Sequence, residues 1–275
     1  MSRPIWLVEL IKRTFPQRFL AARTTRMPLL GSLLDHWLFE GDDLFYLPKE
    51  DVARTVAVSR VVARPLETVL PSQVVEHFIT SASVHWIMDS CICRDASECR
   101  DYPADLGCLF LGEAALGINS KLGRRVSESE ALEHVRRCRE AGLVHLVGRN
   151  RLDTVWLGVG PGERLLTVCN CCPCCCLWRI LPDVAPHIAD KVTRMPGVEV
   201  AVRSEECQGC GICASGVCFA AAIHMEEGRA VIGRECRGCG RCVEVCPNGA
   251  IELSLERDQY VERAIARISP LVDVS

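Results

Sequence analysis

Residues 206–253 read ECQGCGICASGVCFAAAIHMEEGRAVIGRECRGCGRCVEVCPNGAIEL and contain two runs of four cysteines. The first run has the spacing C-x2-C-x2-C-x4-C, and the second has C-x2-C-x2-C-x3-C followed by Pro247. The runs repeat at an interval of 29 residues, counted from Cys207 to Cys236, which indicates two copies of one structural unit. Three cysteines two residues apart must coil around a single inorganic centre, and the intervening glycines allow the positive φ values that such a coil needs.

These runs resemble the cluster-binding runs of bacterial dicluster ferredoxins, in which the fourth ligand of each cluster comes from the other run. The first run departs from that pattern by one extra residue before Cys218 and by Phe219 in place of proline. The resemblance implies two [4Fe-4S] clusters, one held by Cys207, Cys210, Cys213 and Cys246 and the other by Cys236, Cys239, Cys242 and Cys218. Two zinc sites are the alternative, but zinc ribbons supply two C-x2-C pairs per ion and not a triplet with a distant fourth ligand.

The overall composition indicates a folded chain in a reducing compartment. Its 275 residues include 32 basic and 35 acidic side chains, and the net charge of −3 gives no sign of nucleic-acid binding. No apolar run approaches the roughly 20 residues of a membrane span, and the N-terminal stretch lacks the cleavage site of a signal peptide. We therefore expect a cytoplasmic protein, in which the nineteen cysteines stay reduced unless a metal holds them.

A second cysteine-rich region precedes the ferredoxin-like runs. It contains eleven cysteines, which are Cys91, Cys93, Cys99, Cys108, Cys138, Cys169, Cys171, Cys172, Cys174, Cys175 and Cys176. The stretch SESEALEHVRRCREAGLV predicts a helix with a capping box at Ser127 and a glycine stop at Gly142. Cys138 falls on the apolar face of that helix, so we expect it in the core. The other ten are candidate metal ligands.

The corner CNCCPCCC, residues 169–176, is predicted to follow a β-hairpin. DTVWLGV (153–159) and RLLTVC (164–169) read as two strands joined by GPGE, and a helix is expected to begin at Cys174. Because neighbouring side chains of a strand face opposite ways, Cys169 and Cys171 should share one face and Cys172 the other. With the group at 91–108, the corner should bind at least one further iron–sulfur centre. The alternative is a zinc knot made by Cys91, Cys93, Cys99 and Cys108.

The chain also resembles a family of iron–sulfur proteins from anaerobes that are described as 4Fe-4S ferredoxins. The resemblance rests on CICR (91–94), Cys-Leu-Phe-Leu-Gly (108–112), GRRVSESEALEHVRRCREAGLVH (123–145), Asn150 and CNCCPCCC. Members often have glycine where this chain has Pro173, which changes the backbone freedom of the corner. The resemblance covers roughly residues 60–255 and implies electron transfer without naming a substrate.

The expected fold class is α+β, with five segments along the chain. They are an amphipathic helical segment (1–59), a cysteine-rich α+β module of helices and a hairpin (60–185), a linker (186–197), a βαβ-repeat dicluster ferredoxin domain (198–256) and a C-terminal helix and tail (257–275). Within the last domain, VEVAV (198–202) and AIELSL (250–255) are expected to pair. Residues 1–30 carry six basic side chains and one acidic, a local charge of +5. Their apolar stripe suits either packing on the chain itself or docking on a membrane surface or a partner.

Three functions remain open from the sequence. The first is an electron-transfer protein or subunit that works with a partner redox enzyme, since we find no catalytic triad, nucleotide loop or carboxylate pair. The second is an iron–sulfur reductase with an unusual substrate-binding centre at the N-terminal cysteine corner, because ten thiols exceed the four that a cubane uses. The third is a metal-binding regulator or maturation factor. Catalytic residues cannot be named for any of them.

Overall fold

The computed structural model describes residues 2–56, 70–256 and 260–275. Their helices are α1 Ile5–Thr14, α2 Arg18–Thr24, α3 Pro28–Leu38, α4 Ser72–Ser81, α5 Ile92–Ala96, α6 Glu128–Glu140, α7 Arg151–Leu157, α8 Pro186–Ala189, α9 Arg241–Glu244 and α10 Tyr260–Ile268. Their strands are β1 Asp43–Tyr46, β2 Ala53–Val56, β3 His85–Met88, β4 Leu109–Leu111, β5 Gly123–Val126, β6 Val144–Arg149, β7 Leu166–Cys171, β8 Val192–Arg194, β9 Val198–Val202, β10 Ile223–Glu226, β11 Arg229–Ile232 and β12 Ile251–Glu256. The expected α+β class is confirmed.

A seven-stranded sheet in the order β5-β3-β4-β7-β6-β1-β8 forms the body of the chain. Its neighbours run antiparallel except for β8, which lies parallel to β1. The central strand β7 pairs with β6 so that Cys171 lies opposite Val144 and Asn170 opposite His145. The cysteine corner therefore begins at the end of a strand that is held on both sides.

The ferredoxin-like region has a sheet of three strands in the order β2-β12-β9. The predicted pairing of 198–202 with 250–255 is confirmed, with Val198 opposite Leu255 and Val202 opposite Ile251. The third strand, β2, comes from the N-terminal segment and lies parallel to β12, with Ala53 opposite Leu253. One buried apolar cluster joins this sheet to the larger one, since it contains side chains of β12, β6, α4, α6 and α10.

The segment boundaries remain predictions, although the structure adds detail to two of the segments. Residues 1–59 contain strands β1 and β2 as well as the expected helices, and residues 186–197 contain α8 and β8. The boundary at 59/60 lies outside the described ranges, and the boundary at 256/257 falls where a described range ends. None of the helices described is long and apolar enough to cross a membrane.

Two local predictions were right and two were wrong. The capping box is confirmed, because Ser127 Oγ accepts a hydrogen bond from the Glu130 amide and the Glu130 carboxylate accepts one from the Ser127 amide. Cys138 is fully buried in the core, also as predicted. The expected strand at 153–159 is wrong, and so is the helix expected to begin at Cys174.

Buried polar contacts explain why residues 151–157 form helix α7 and not a strand. The Asp153 carboxylate accepts hydrogen bonds from Asn150 Nδ2 at 2.6 Å and Trp156 Nε1 at 2.8 Å, both within one helical turn. Gly158 then ends the helix in the left-handed conformation, with φ +68°. The predicted hairpin is therefore wrong, and β7 pairs antiparallel with β6, which precedes α7 in the chain.

The chain after Pro173 makes turns before a short 3₁₀ helix at Leu177–Ile180. Cys176 has extended backbone angles, with φ −50° and ψ 137°. A helix could not begin at Cys174 with this conformation two residues later. The extended residue separates the thiol of Cys176 from those of Cys174 and Cys175.

Candidate metal centres

The ten candidate thiols of the N-terminal region lie around the end of β7 and divide into two groups. The four-thiol group contains Cys99, Cys172, Cys174 and Cys175, whose sulfurs all lie within 4.8 Å of one another. The six-thiol group contains Cys91, Cys93, Cys108, Cys169, Cys171 and Cys176, which line one cavity that Cys172 of the four-thiol group also borders. The alternation along β7 separates them as predicted, because Cys169 and Cys171 belong to one group and Cys172 to the other. The structure does not bring together the four residues suggested for a zinc knot. Cys99 lies in the four-thiol group, whereas Cys91, Cys93 and Cys108 lie in the six-thiol group.

The sulfur contacts of the six thiols form two sets, one of Cys108, Cys169, Cys171 and Cys176 and the other of Cys91 and Cys93. Cys108 Sγ lies 3.7 Å from Cys169 Sγ, and Cys171 is within hydrogen-bonding range of both Cys169 and Cys176. Hydrogen bonds from these two neighbours hold the pKa of Cys171 well below its usual value. A hydrogen bond with Cys93 lowers the pKa of Cys91 to about 7. The same contacts raise the pKa of Cys93 and of Cys169, so neighbouring sulfurs share protons unequally while no metal is bound.

Two buried arginines accompany these thiols. Arg94 is 1% exposed and Arg241 is 2% exposed, and neither pairs with a carboxylate among the described residues. Arg94 Nη1 donates to the Asn170 carbonyl at 2.7 Å, and its Nη2 donates to the Leu106 carbonyl. Burial disfavours the charge of Arg94, yet the thiolates of Cys91 and Cys172 raise its pKa above the usual value. A buried cation without a carboxylate indicates an anionic partner nearby, and the thiols are the groups in place to supply it.

Arg241 connects the six-thiol group with the ferredoxin-like region. Its Nη2 donates to the Cys171 carbonyl at 2.9 Å, while the next residue along the chain is Cys242. Its guanidinium also lies 5.4 Å from the ring centre of Phe219. Phe219 stacks on Tyr46 with 5.0 Å between ring centres. Neither arginine was identified from the sequence, although each directly follows or precedes a cysteine of a ligand run.

The eight thiols of the ferredoxin-like runs lie in two places. Cys207, Cys210, Cys213 and Cys246 line one small cavity beneath β10 and β11. In the other place, burial together with the charges of Cys218 and Cys236 raises the pKa of Cys239 to about 12. The structure thus brings a thiol of each run beside three of the other. The ligand assignment itself stays a prediction.

A cavity of ≈ 610 Å³ opens beside the six-thiol group. One wall consists of the thiols and Arg94, and the opposite wall consists of apolar side chains of α1 and the turn after it, including Leu7, Ile11 and Phe15. Arg18 also lines it, with its guanidinium stacked 4.3 Å from the ring centre of Phe15. The N-terminal helices therefore cover the candidate centre.

The N-terminal helices use most of their basic side chains within the chain. Five of the six basic residues of 1–30 hydrogen-bond to other parts of the chain or to their own helix, among them Lys12 with Asp95 at 2.7 Å and Arg23 with Asp183 at 2.8 Å. Large apolar side chains are exposed on the outside, including Trp6 at 67% and Leu29 at 90%. The segment both packs on its own chain and presents an apolar outer surface.

The histidines near the thiols are buried core residues, and each has at least one hydrogen-bond partner, although Nε2 of His145 has none among the described residues. His145 Nδ1 lies 2.8 Å from Asn170 Oδ1, and burial lowers the pKa of His145 to about 4. His85 Nε2 lies 2.7 Å from the Ile79 carbonyl. His134 Nε2 lies 2.9 Å from the Gly107 carbonyl and 3.7 Å from Cys138 Sγ. His85 and His134 thus use Nε2 within the core, and the clustered sulfurs form the candidate ligand set.

Residues 214–256 match the LdpA Fe-S cluster-binding domain, a family defined by cluster binding. The match includes Cys218 and the whole second cysteine run but begins after Cys213. Neither the curated proteins nor the solved structures contain a match to this chain. The matched domain and the two cysteine runs together identify the chain as an iron–sulfur protein.

Proposed function

We propose that this chain is an electron-transfer protein that passes single electrons between two [4Fe-4S] clusters in its ferredoxin-like region and a third iron–sulfur centre held by the six-thiol group. The observation that supports this proposal most is that the six-thiol group and the ferredoxin-like cysteines border one apolar core. Cys169, Cys171 and Cys176 pack in the same buried cluster as Cys218, Cys236 and Cys239. The stacked rings of Tyr46 and Phe219 belong to that cluster as well.

The buried charges support a cluster at the six-thiol group. Free thiols are neutral, so they would leave Arg94 and Arg241 as uncompensated cations in the core, which is costly. A thiolate-bound cluster carries negative charge and would be stabilised by both guanidinium groups. Six thiols exceed the four that one cubane requires, so the remaining ones would lie around it or bind additional iron. The partner that donates or accepts the electrons stays a prediction.

The test uses the full chain, made and purified without oxygen. We expect more than eight irons per chain with a similar amount of acid-labile sulfide, because the two ferredoxin clusters account for about eight. Redox-titrated EPR should resolve a third centre that disappears in Cys171→Ser and persists in Cys138→Ser, which alters a buried thiol outside both groups. Eight irons per chain with no third EPR signal would contradict the third centre. Four or fewer irons per chain would contradict the dicluster assignment as well.

The cavity favours a second candidate function, an iron–sulfur reductase. At ≈ 610 Å³ it has the size of a small-molecule site, and it adjoins the thiols directly. A centre with an open iron position there could bind a small thiol or an oxidised substrate and reduce it with electrons from the ferredoxin-like clusters. Arg18 and Arg94 would favour an anionic molecule.

Small ligands distinguish the two functions. If the cavity admits substrate, cyanide or a small thiol should shift the EPR signal of the third centre in the wild-type chain. The shift should weaken in Ile11→Trp, which places a larger side chain in the cavity wall, and should persist in Leu10→Trp on the exposed side of the same helix. A spectrum that responds to neither ligand would exclude the reductase and leave electron transfer as the one remaining candidate function.

A further inference from the structure

We propose that Cys99, Cys172, Cys174 and Cys175 form a closed tetrahedral site for one zinc ion, separate from every iron–sulfur centre of the chain. The proposal does not depend on the electron-transfer function, because it concerns the thiols that the six-thiol group leaves out. It rests on the spacing of the four sulfurs, on their surroundings and on what they connect.

The sulfur spacing suits a single ion. A tetrahedral ion with metal–sulfur bonds of about 2.3 Å has sulfurs about 3.8 Å apart. Cys99 Sγ lies 3.5 Å from Cys174 Sγ, and Cys174 Sγ lies 3.6 Å from Cys175 Sγ. All four sulfurs lie within 4.8 Å of one another. In a cubane each thiolate binds a different iron and points outward, so the sulfurs are roughly 6 Å apart, which is wider than this group.

The surroundings of the four sulfurs are those of a structural thiolate site. The Cys175 amide donates to Cys172 Sγ at 3.3 Å, and the amides of Asp101 and Tyr102 donate to Cys99. The Arg94 guanidinium is within hydrogen-bonding range of Cys172. Such donors offset the net charge of −2 that four thiolates and a divalent ion carry together.

Four protein ligands would close the coordination of the ion, although Cys99 and Cys174 are themselves half-buried. Cys172 and Cys175 are buried, and Leu106, Leu143 and Cys138 pack around them in one small apolar cluster. With four protein ligands no position remains for a substrate or water, which is the arrangement of structural zinc sites. Thiolate sites of this geometry select zinc or iron. Zinc binds more tightly than ferrous iron in the usual order of divalent metals.

The zinc ion would connect two irregular segments of the chain. Cys99 lies in the stretch between α5 and β4, and Cys172, Cys174 and Cys175 lie in the turns after β7. The first of these segments also carries Cys108 of the six-thiol group, and the second carries Cys176. An ion at the four-thiol group would therefore fix the relative position of ligands for the neighbouring centre.

The test is metal analysis of the full chain expressed with both iron and zinc and purified without oxygen. We expect about one zinc per chain, lost in Cys174→Ser and kept in Cys138→Ser, with no fall in iron or sulfide in the latter. X-ray absorption at the zinc edge of the unaltered chain should give four sulfurs at about 2.3 Å, a measurement that needs no variant to fold.

The outcomes separate this proposal from the proposed function. A chain with zinc in four-sulfur coordination but without iron would keep the zinc site and end the electron-transfer function. A chain with iron and sulfide but without zinc would overturn the zinc site only. Loss of about four irons and four sulfides in Cys174→Ser would show a cluster in its place. Iron bound here without sulfide would likewise overturn zinc as the occupant.

Discussion

Replacing Cys246 with serine should remove the cluster assigned to Cys207, Cys210 and Cys213 and leave the one assigned to Cys236, Cys239 and Cys242. The reason is geometric, because Cys246 lines the same small cavity as the three cysteines of the first run, although it ends the second. We expect iron and sulfide to fall by about four each, and one of the two ferredoxin-type EPR signals to disappear.

The reciprocal variant makes the result specific. Cys218→Ser should remove the other signal, since Cys218 acts electrostatically on Cys236, Cys239 and Cys242. Cys138→Ser alters a buried thiol that belongs to neither ferredoxin-type set, so it should change neither EPR signal. If Cys246→Ser removes the cluster of its own sequence neighbours, the exchange of fourth ligands between the runs is wrong.

Replacing Arg94 with methionine should destabilise the metal-loaded chain by about 3–5 kcal/mol, the usual effect of removing one partner of a buried ion pair. The Arg94 guanidinium donates hydrogen bonds to the Asn170 and Leu106 carbonyls, and it lies near thiols of both the six-thiol and the four-thiol group. Its loss would leave those carbonyls without a donor and the thiolates without their cation. The measurement is the concentration of guanidinium chloride at the midpoint of unfolding, followed by the loss of cluster absorbance and recorded without oxygen.

Arg100→Met is the matched control. Arg100 lies six residues further along the same segment, carries the same charge and is exposed, so its removal should change the unfolding free energy by less than about 0.5 kcal/mol. Equal midpoints for Arg94→Met and the unaltered chain, with full metal content, would mean that the thiolates need no buried cation. The charge argument for a cluster at the six-thiol group would then fail.

Local spacing made part of this structure predictable. The ferredoxin-like runs, the pairing of 198–202 with 250–255 and the capped helix at Ser127 all depend on residues close in sequence or on a repeat. The helix at 151–157 was missed because its β-branched and aromatic residues favour a strand, while the buried hydrogen bonds of Asp153 decide for a helix. Tertiary contacts outweigh propensity there.

The division of the ten thiols could not be read from their spacing. Cys99 lies between Cys93 and Cys108 in sequence but joins Cys172, Cys174 and Cys175, because the segment after α5 crosses to the far side of the β7 corner. The alternation of β7 predicts which corner thiols separate, yet it does not say where a distant loop will lie. The buried arginines were missed for a related reason, since an arginine beside a cysteine gives no sign of its burial.

The parallel strand at Ala53–Val56 sets an order of events during synthesis. Ala53 pairs with Leu253, a separation of 200 residues (253 minus 53), so the first partner leaves the ribosome long before the second exists. The central strand β12 cannot acquire both neighbours until nearly the whole chain is made. The ferredoxin-like region is consequently a poor candidate for transfer to another protein as a cassette, because an excised copy would carry β12 with one edge unpaired and open to association.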